Sequence, residues 1–208
     1  MKKYLILAVA TLGLSFSANA VENLGGDAQR GQGLSTPCIA CHMADGNSVN
    51  PAWPKIAGKD AGYLYKQLSD YKEGRRNNPL MMPQVANLSD QDMRDLATYF
   101  AAQTTAPGRS AADEETLALG RQIYFGGNMA SGVAACVACH GPTGKGNPAA
   151  IFPSVAAQHG AYSRDQLHQF RDGVRANDPG RMMRNVAGRM TDEEMAAVSE
   201  FMATLSAN

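Results

Sequence analysis

Two five-residue runs in this chain share one layout: Cys38-Ile39-Ala40-Cys41-His42 and Cys136-Val137-Ala138-Cys139-His140. Together they use all four cysteines. Thiols three residues apart on one helical turn point the same way, so a pair can add to both vinyl groups of one porphyrin. A histidine directly after the second cysteine is carried under the ring, where an imidazole nitrogen can bind iron. Each run is therefore the attachment signature of a covalent c-type haem. Other uses of Cys-x-x-Cys fit less well. A redox dithiol or half a zinc site does not call for the histidine, yet both pairs have it although the chain has only four histidines. The pairs also lie 98 residues apart, far wider than a zinc ribbon uses.

The surrounding chain is written twice. Beyond the motifs, Trp53-Pro54 matches Phe152-Pro153, Tyr63 matches Tyr162, Gln67-Leu68 matches Gln166-Leu167 and Gly74 matches Gly173, all at an offset of 99. Towards the C-terminal ends the offset is 102, pairing Ser89-Asp90 with Thr191-Asp192, Met93 with Met195 and Tyr99 with Phe201. A tandem duplication of about 85–100 residues accounts for this. The expected organisation is a leader over 1–20, a first domain over 21–105, a linker over 106–115 and a second domain over 116–208. The Pro, Gly and small polar residues around Thr104-Thr105-Ala106-Pro107-Gly108 suit either a linker or an ordered strap.

The elements that must position the motifs read as helices. Ser89 with Asp92, and Thr191 with Glu194, resemble capping boxes. Met93, Leu96, Ala97 and Phe100 follow at helical spacing, as do Met195, Val198 and Met202. Further helices are expected around 63–71 and 163–171, and no run alternates well enough for a sheet. Gly31 and Gly120 precede the motifs. Each would let an N-terminal helix approach the last helix closely, against Tyr99 or Phe201, unless it is a loop glycine. Domains this small have little core of their own, and a buried haem would supply an apolar centre.

His42 and His140 leave one axial position on each iron. Methionine there favours electron transfer and a raised potential, whereas an empty site favours catalysis. Eight residues before each final helix cap stand Met81 and Met183, in segments expected to be irregular. Their neighbours do not repeat, because Met82 faces Arg184 and Leu80 faces Met182. The repeat selects Met81 and Met183, with Met82, followed by Pro83, as the alternative to Met81. His159 and His168 have Asp60 and Ser69 as counterparts, so at most one domain could use them; they read as surface histidines.

Lys2 and Lys3, the apolar run from Tyr4 to about Leu14, and Ala18-Asn19-Ala20 fit a secretory signal. Export agrees with haem attachment outside the cytoplasm. Without Lys2 and Lys3 the chain has 17 basic and 19 acidic residues, a formal charge of −2. Neither half is a basic nucleic-acid binder.

With these residues in place, the chain resembles a tandem class I cytochrome c of the cytochrome c4 type over essentially all of its mature length. The resemblance implies an all-α protein of two domains facing each other, each wrapped around one covalently bound haem c, with propionates near the interface. It implies that Cys38, Cys41, Cys136 and Cys139 carry the haems. Pro54 and Pro153 would offer carbonyls to the axial histidines' other ring nitrogens, fixing ring orientation. Tyr63, Gln67, Tyr162 and Gln166 stand where polar side chains meet propionates, or are ordinary polar residues of amphipathic helices. The implied function is periplasmic electron transfer rather than enzyme catalysis. The donor would be a quinol-oxidising cytochrome bc-type complex or a dehydrogenase, and the acceptor a terminal haem–copper oxidase, with possible peripheral membrane association. The alternatives are a cytochrome subunit of a periplasmic dehydrogenase and a di-haem peroxidase. The second is disfavoured by a methionine at the same place in both copies.

Overall fold

A computed structural model describes residues 24–206. The leader expected over 1–20 lies outside the described residues.

The first copy builds five helices. α1 (Ala28–Leu34) begins at Asp27, whose carboxylate accepts the Gln29 and Arg30 N–H groups at 2.8 and 3.1 Å. α2 (Thr36–His42) carries the first motif, with Pro37 in its opening turn, where a missing N–H costs nothing. α3 (Ala61–Lys72) is capped by Asp60 accepting from Tyr63 N–H. α4 (Met81–Val85) is short, and α5 (Asp90–Ala101) starts under the Ser89/Asp92 capping box. The second copy repeats them as α6 (Glu114–Gly126), α7 (Val137–His140), α8 (Gly160–Arg171), α9 (Met182–Ala187) and α10 (Asp192–Thr204), the last under the Thr191/Glu194 box. Extended pairing among the described residues is limited to the isolated bridges Asn128–Val133 and Asn147–Phe152. The helices expected around 63–71 and 163–171 are thus α3 and α8. The methionine segments differ from expectation: Met81 and Met183 lie in short helices rather than irregular chain. Helices of five and six residues are too short to show a period in the sequence.

In each half the first helix packs on the last, and the last also packs on the third. Both first contacts pass through a glycine. A Cβ on Gly31 would sit 2.9 Å from Tyr99 Cβ, and one on Gly120 would sit 2.8 Å from Phe201 Cβ and 2.6 Å from the Ala197 carbonyl carbon. Only a missing side chain allows that approach. The first core gathers Leu64, Leu96, Ala97 and Phe100, with Cys38 and Leu34 at its edge. The second gathers Tyr124, Leu167, Phe170, Met195, Val198 and Phe201, with Cys136, Val137 and Met183 against it.

The copies differ where insertions fall. The offset is 89 at Gly31/Gly120 and 98 at the cysteines, so nine extra residues precede the second motif. They extend α6 and form a loop closed by the Asn128–Val133 bridge. One more residue enters between Gly144 and Phe152, where a 3-10 turn over Pro148–Ala150 ends on left-handed Ile151. Left-handed Gly180 and Arg181 mark the three added before α10.

Residues 103–113 run as an ordered strap. Thr105 is buried and donates to Ala57 O at 2.8 Å. The Asn47 side chain brackets Ala106 N–H and Thr104 O, at 2.7 and 3.0 Å. Lys55 Nζ donates to the carbonyls of Ala106 and Pro107, both at 3.0 Å. Further on, Gly108 is pressed against Ala157 and Ala203, and Ser110 Oγ donates to Glu200 at 2.6 Å.

Candidate haem-binding sites

Cys38 and Cys136 pack against their respective cores, whereas Cys139 is exposed and Cys41 half-buried. Burial pushes the Cys38 thiol up, and the Cys136 thiol up to about 11. Among the described residues no three His, Cys, Asp or Glu side chains gather as a metal-ion site, so the two pairs do not converge on a shared one.

His42 and His140 are 7% and 9% exposed. His42 Nδ1 lies 2.9 Å from the Pro54 carbonyl oxygen, and His140 Nδ1 lies 2.8 Å from that of Pro153. A carbonyl only accepts, so Nδ1 carries the proton in both rings and Nε2 keeps its lone pair. Burial lowers both histidines from their ordinary value, against the opposing pull of the proline carbonyls; at His140 the nearby Lys59 charge adds to the lowering. Each ring is therefore a neutral imidazole with a fixed tautomer and a free nitrogen, the form an iron ligand needs.

Met81 and Met183 occupy matching places. Buried Val85 and Ala187 end their short helices at the same offset of 102 as the α5 and α10 caps. Leu88 N–H to Val85 O and Met190 N–H to Ala187 O, both at 3.1 Å, repeat the turn that follows. Met183 packs against the cluster that also receives Cys136. Met81 and its neighbour Met82 are both half-buried.

Between the halves lies a polar network with near two-fold symmetry. Arg76 donates to Gln67 in its own half at 2.8 Å, and across to Tyr162 Oη and Gln166 Oε1 at 3.1 and 2.6 Å. Arg175 donates to Gln166 in its own half at 2.7 Å, and across to Tyr63 Oη and Gln67 Oε1 at 3.1 and 3.3 Å. Both guanidiniums are buried, 5% and 7% exposed, and these oxygens are neutral. Buried cations call for anions, and haem propionates would provide them. Buried neutral histidines, a cysteine pair beside each, and a cationic seam between the halves together fit two haems.

The cytochrome c family model matches residues 28–103 and 117–206. Cytochrome c4 of Thiocapsa roseopersicina is 46% identical over 183 residues, covering 87% of this chain and 94% of that protein. The crystal structure of reduced recombinant cytochrome c4 from Pseudomonas stutzeri matches with a TM-score of 0.84 at 39% identity, over 87% of this chain and 100% of that one. The chain belongs to the cytochrome c4 family. This cytochrome is accordingly an all-α electron-transfer protein with two covalently bound haem c groups. A thiosulfate dehydrogenase electron acceptor of Stutzerimonas stutzeri is also similar, at 39% identity over 209 residues, 96% of this chain and 94% of that protein. No helix among the described residues is long and apolar enough to cross a membrane.

Three features escaped the sequence reading. Arg76 and Arg175 are themselves a repeat pair at offset 99, two residues past the matched glycines, and that match would have flagged them. Lys55 and Lys59 counted only as charge, yet both reach across or along the seam. His159 is no surface histidine: its Nε2 lies 2.9 Å from Ser48 O in the other half. His168 does lie at the surface, against Arg171 and Asp192.

Proposed function

We propose that this cytochrome is a periplasmic carrier that takes electrons from a quinol-oxidising cytochrome bc-type complex or a dehydrogenase and delivers them to a terminal haem–copper oxidase. Cys38 and Cys41 attach one haem and Cys136 and Cys139 the other. His42 with Met81, and His140 with Met183, complete the two irons. The observation that carries the reading is the pair of buried imidazoles, each donating from Nδ1 to a proline carbonyl and each matched by a methionine at the same repeat position. Six strong ligands in both oxidation states leave little to rearrange on electron transfer and no open position for a substrate. The similar thiosulfate dehydrogenase electron acceptor supports a periplasmic dehydrogenase as the donor.

An anaerobic spectroelectrochemical titration of the haem-loaded protein tests this. Two low-spin, methionine-ligated haems at positive potential are expected. A high-spin component, or one haem at strongly negative potential, would overturn the ligand set and bring a peroxide assay to the front.

A further inference from the structure

One hydrogen bond is made in both halves, but from opposite helices. In the first half the Tyr99 hydroxyl, on the last helix α5, donates to Ala44 O at 2.8 Å. In the second the Tyr124 hydroxyl, on the first helix α6, donates to Gly141 O at 2.6 Å. The repeat does not pair these tyrosines with each other. Tyr99 has Phe201 as its counterpart at offset 102, and Tyr124 has Ser35 at offset 89. Ser35 turns its own hydroxyl back to Gln32 O at 2.8 Å, and Phe201 has none to give. Each half therefore places one phenol on the loop that leaves its motif histidine, although the donor stands on a different helix. Two unlike arrangements that supply one bond point to a use for the bond itself.

The loop so held carries the proline to the histidine. It leaves His42 as a turn closed by Gly46 N–H on Met43 O at 3.2 Å, and leaves His140 as the same turn, with Gly144 N–H on Gly141 O at 3.2 Å. The glycine at its end then receives the returning chain. Gly46 O accepts the Ile56 and Ala57 N–H groups at 2.8 and 3.1 Å, and Gly144 O accepts those of Val155 and Ala156 at 2.8 and 3.1 Å. Those residues lie just past Pro54 and Pro153, whose carbonyls receive the Nδ1–H bonds of His42 and His140. A short run of backbone and hydrogen bonds thus leads from each phenol to an imidazole. In the first half the loop opens on Met43 at φ 64°, backbone that a side chain resists, and the phenol anchor opposes its relaxation.

We infer that Tyr99 and Tyr124 are positioning residues of the two irons: each phenol holds the loop that seats a proline carbonyl on its half's axial histidine, and so keeps that imidazole in one orientation. Their action passes through Pro54 and Pro153. This rests on the axial ligation proposed above.

The test uses the full-length, haem-loaded protein in its reduced, diamagnetic state, with the histidine nitrogens labelled. Exchange of the two Nδ1–H protons with heavy water is followed by NMR and reports how often each proline–histidine bond opens. Tyr99→Phe and Tyr124→Phe each remove one oxygen and keep the ring. Loss of one anchoring hydrogen bond should speed exchange about fivefold, at His42 in Tyr99→Phe and at His140 in Tyr124→Phe, with the other half's histidine unchanged. Backbone amides of α3 and α8 are the reference and should keep their wild-type rates. The rescue combines Tyr124→Phe with Phe201→Tyr. It gives the second half the donor helix of the first, aimed at Pro142 O, the counterpart of Ala44 O at offset 98, and His140 should return to near its wild-type rate. Unchanged Nδ1–H exchange in both single variants would overturn the inference. So would equal acceleration of the reference amides, which would make the phenols general packing groups, or a combined variant that exchanges as fast as Tyr124→Phe alone. Failure of the axial ligation would show separately, as a wild-type spectrum without low-spin histidine ligation.

Discussion

Placing a methyl group at Gly120 tests the helix contact that frames the second haem site. A Cβ there would lie 2.6 Å from the Ala197 carbonyl carbon and 2.8 Å from Phe201 Cβ. Ordinary contact begins near 3.4 Å, so α6 and α10 must separate by roughly 1 Å, and the obstacle is backbone, which cannot rotate away. Overpacking of this kind costs about 1–3 kcal/mol, and here the upper part applies. Alanine returns up to about 1 kcal/mol in helix propensity. The net expectation for Gly120→Ala is a loss of about 1–2 kcal/mol, which lowers the melting point by about 5–15 °C for a domain of this size. Gly33→Ala is the control. It sits in α1 with nothing within 4 Å of its would-be Cβ, so only the propensity gain remains and the protein should be equally or slightly more stable. Thermal unfolding of the holoprotein, followed by far-ultraviolet circular dichroism and by the Soret band, reads both. A Gly120→Ala protein that melts with the wild type would refute the close-approach argument.

Other expectations follow from the same geometry. Met43 holds φ 64° and ψ 165° just after His42, where its counterpart is Gly141. Such a conformation costs a non-glycine residue about 1–3 kcal/mol, so Met43→Gly should raise the urea midpoint even after the entropy cost of glycine. Met183→Ala should shift one haem's low-spin spectrum and lower its potential, and Met81→Ala should do so for the other. If Met82→Ala has that effect instead, the first ligand lies one residue further on. Arg76→Gln removes three hydrogen bonds of a buried guanidinium, each worth about 1.5–3 kcal/mol between charged and neutral groups. Limited proteolysis should then cut the strap at 103–113 sooner than in the wild type, and equal rates would argue that the seam does not depend on Arg76.

What was legible in the sequence was local or repeated. The cysteine–histidine runs, the capping boxes at Ser89 and Thr191 and the apolar stripes of α5 and α10 all act over a few residues, so spacing alone exposes them. The prolines that hold the histidines lie only 12 and 13 residues downstream, and the family resemblance singled them out. The pairings across the seam were not legible in this way, although the resemblance marked Tyr63, Gln67, Tyr162 and Gln166, which take part in them. His159 meets Ser48 across 111 residues and Arg76 meets Gln166 across 90, and composition carries no trace of such pairings. Polar residues that face solvent in one half become buried only when the other half arrives. The charges of Lys55 and Lys59 were counted, but their burial depends on that arrival too.

The reciprocity of the seam bears on how the chain came to be. Arg76 touches Gln166 while Arg175 touches Gln67, and each arginine also reaches the other half's tyrosine. That is the bonding rule of an isologous dimer, in which the same patch meets itself about a two-fold axis. Two identical, unlinked copies of one half could satisfy every one of those arginine bonds. In such a dimer, however, any substitution appears twice and the two sites stay alike. Joining the copies into one chain frees each side to change alone. Lys59 and Gln158 are such a difference, an ammonium in one half where the other half has an amide.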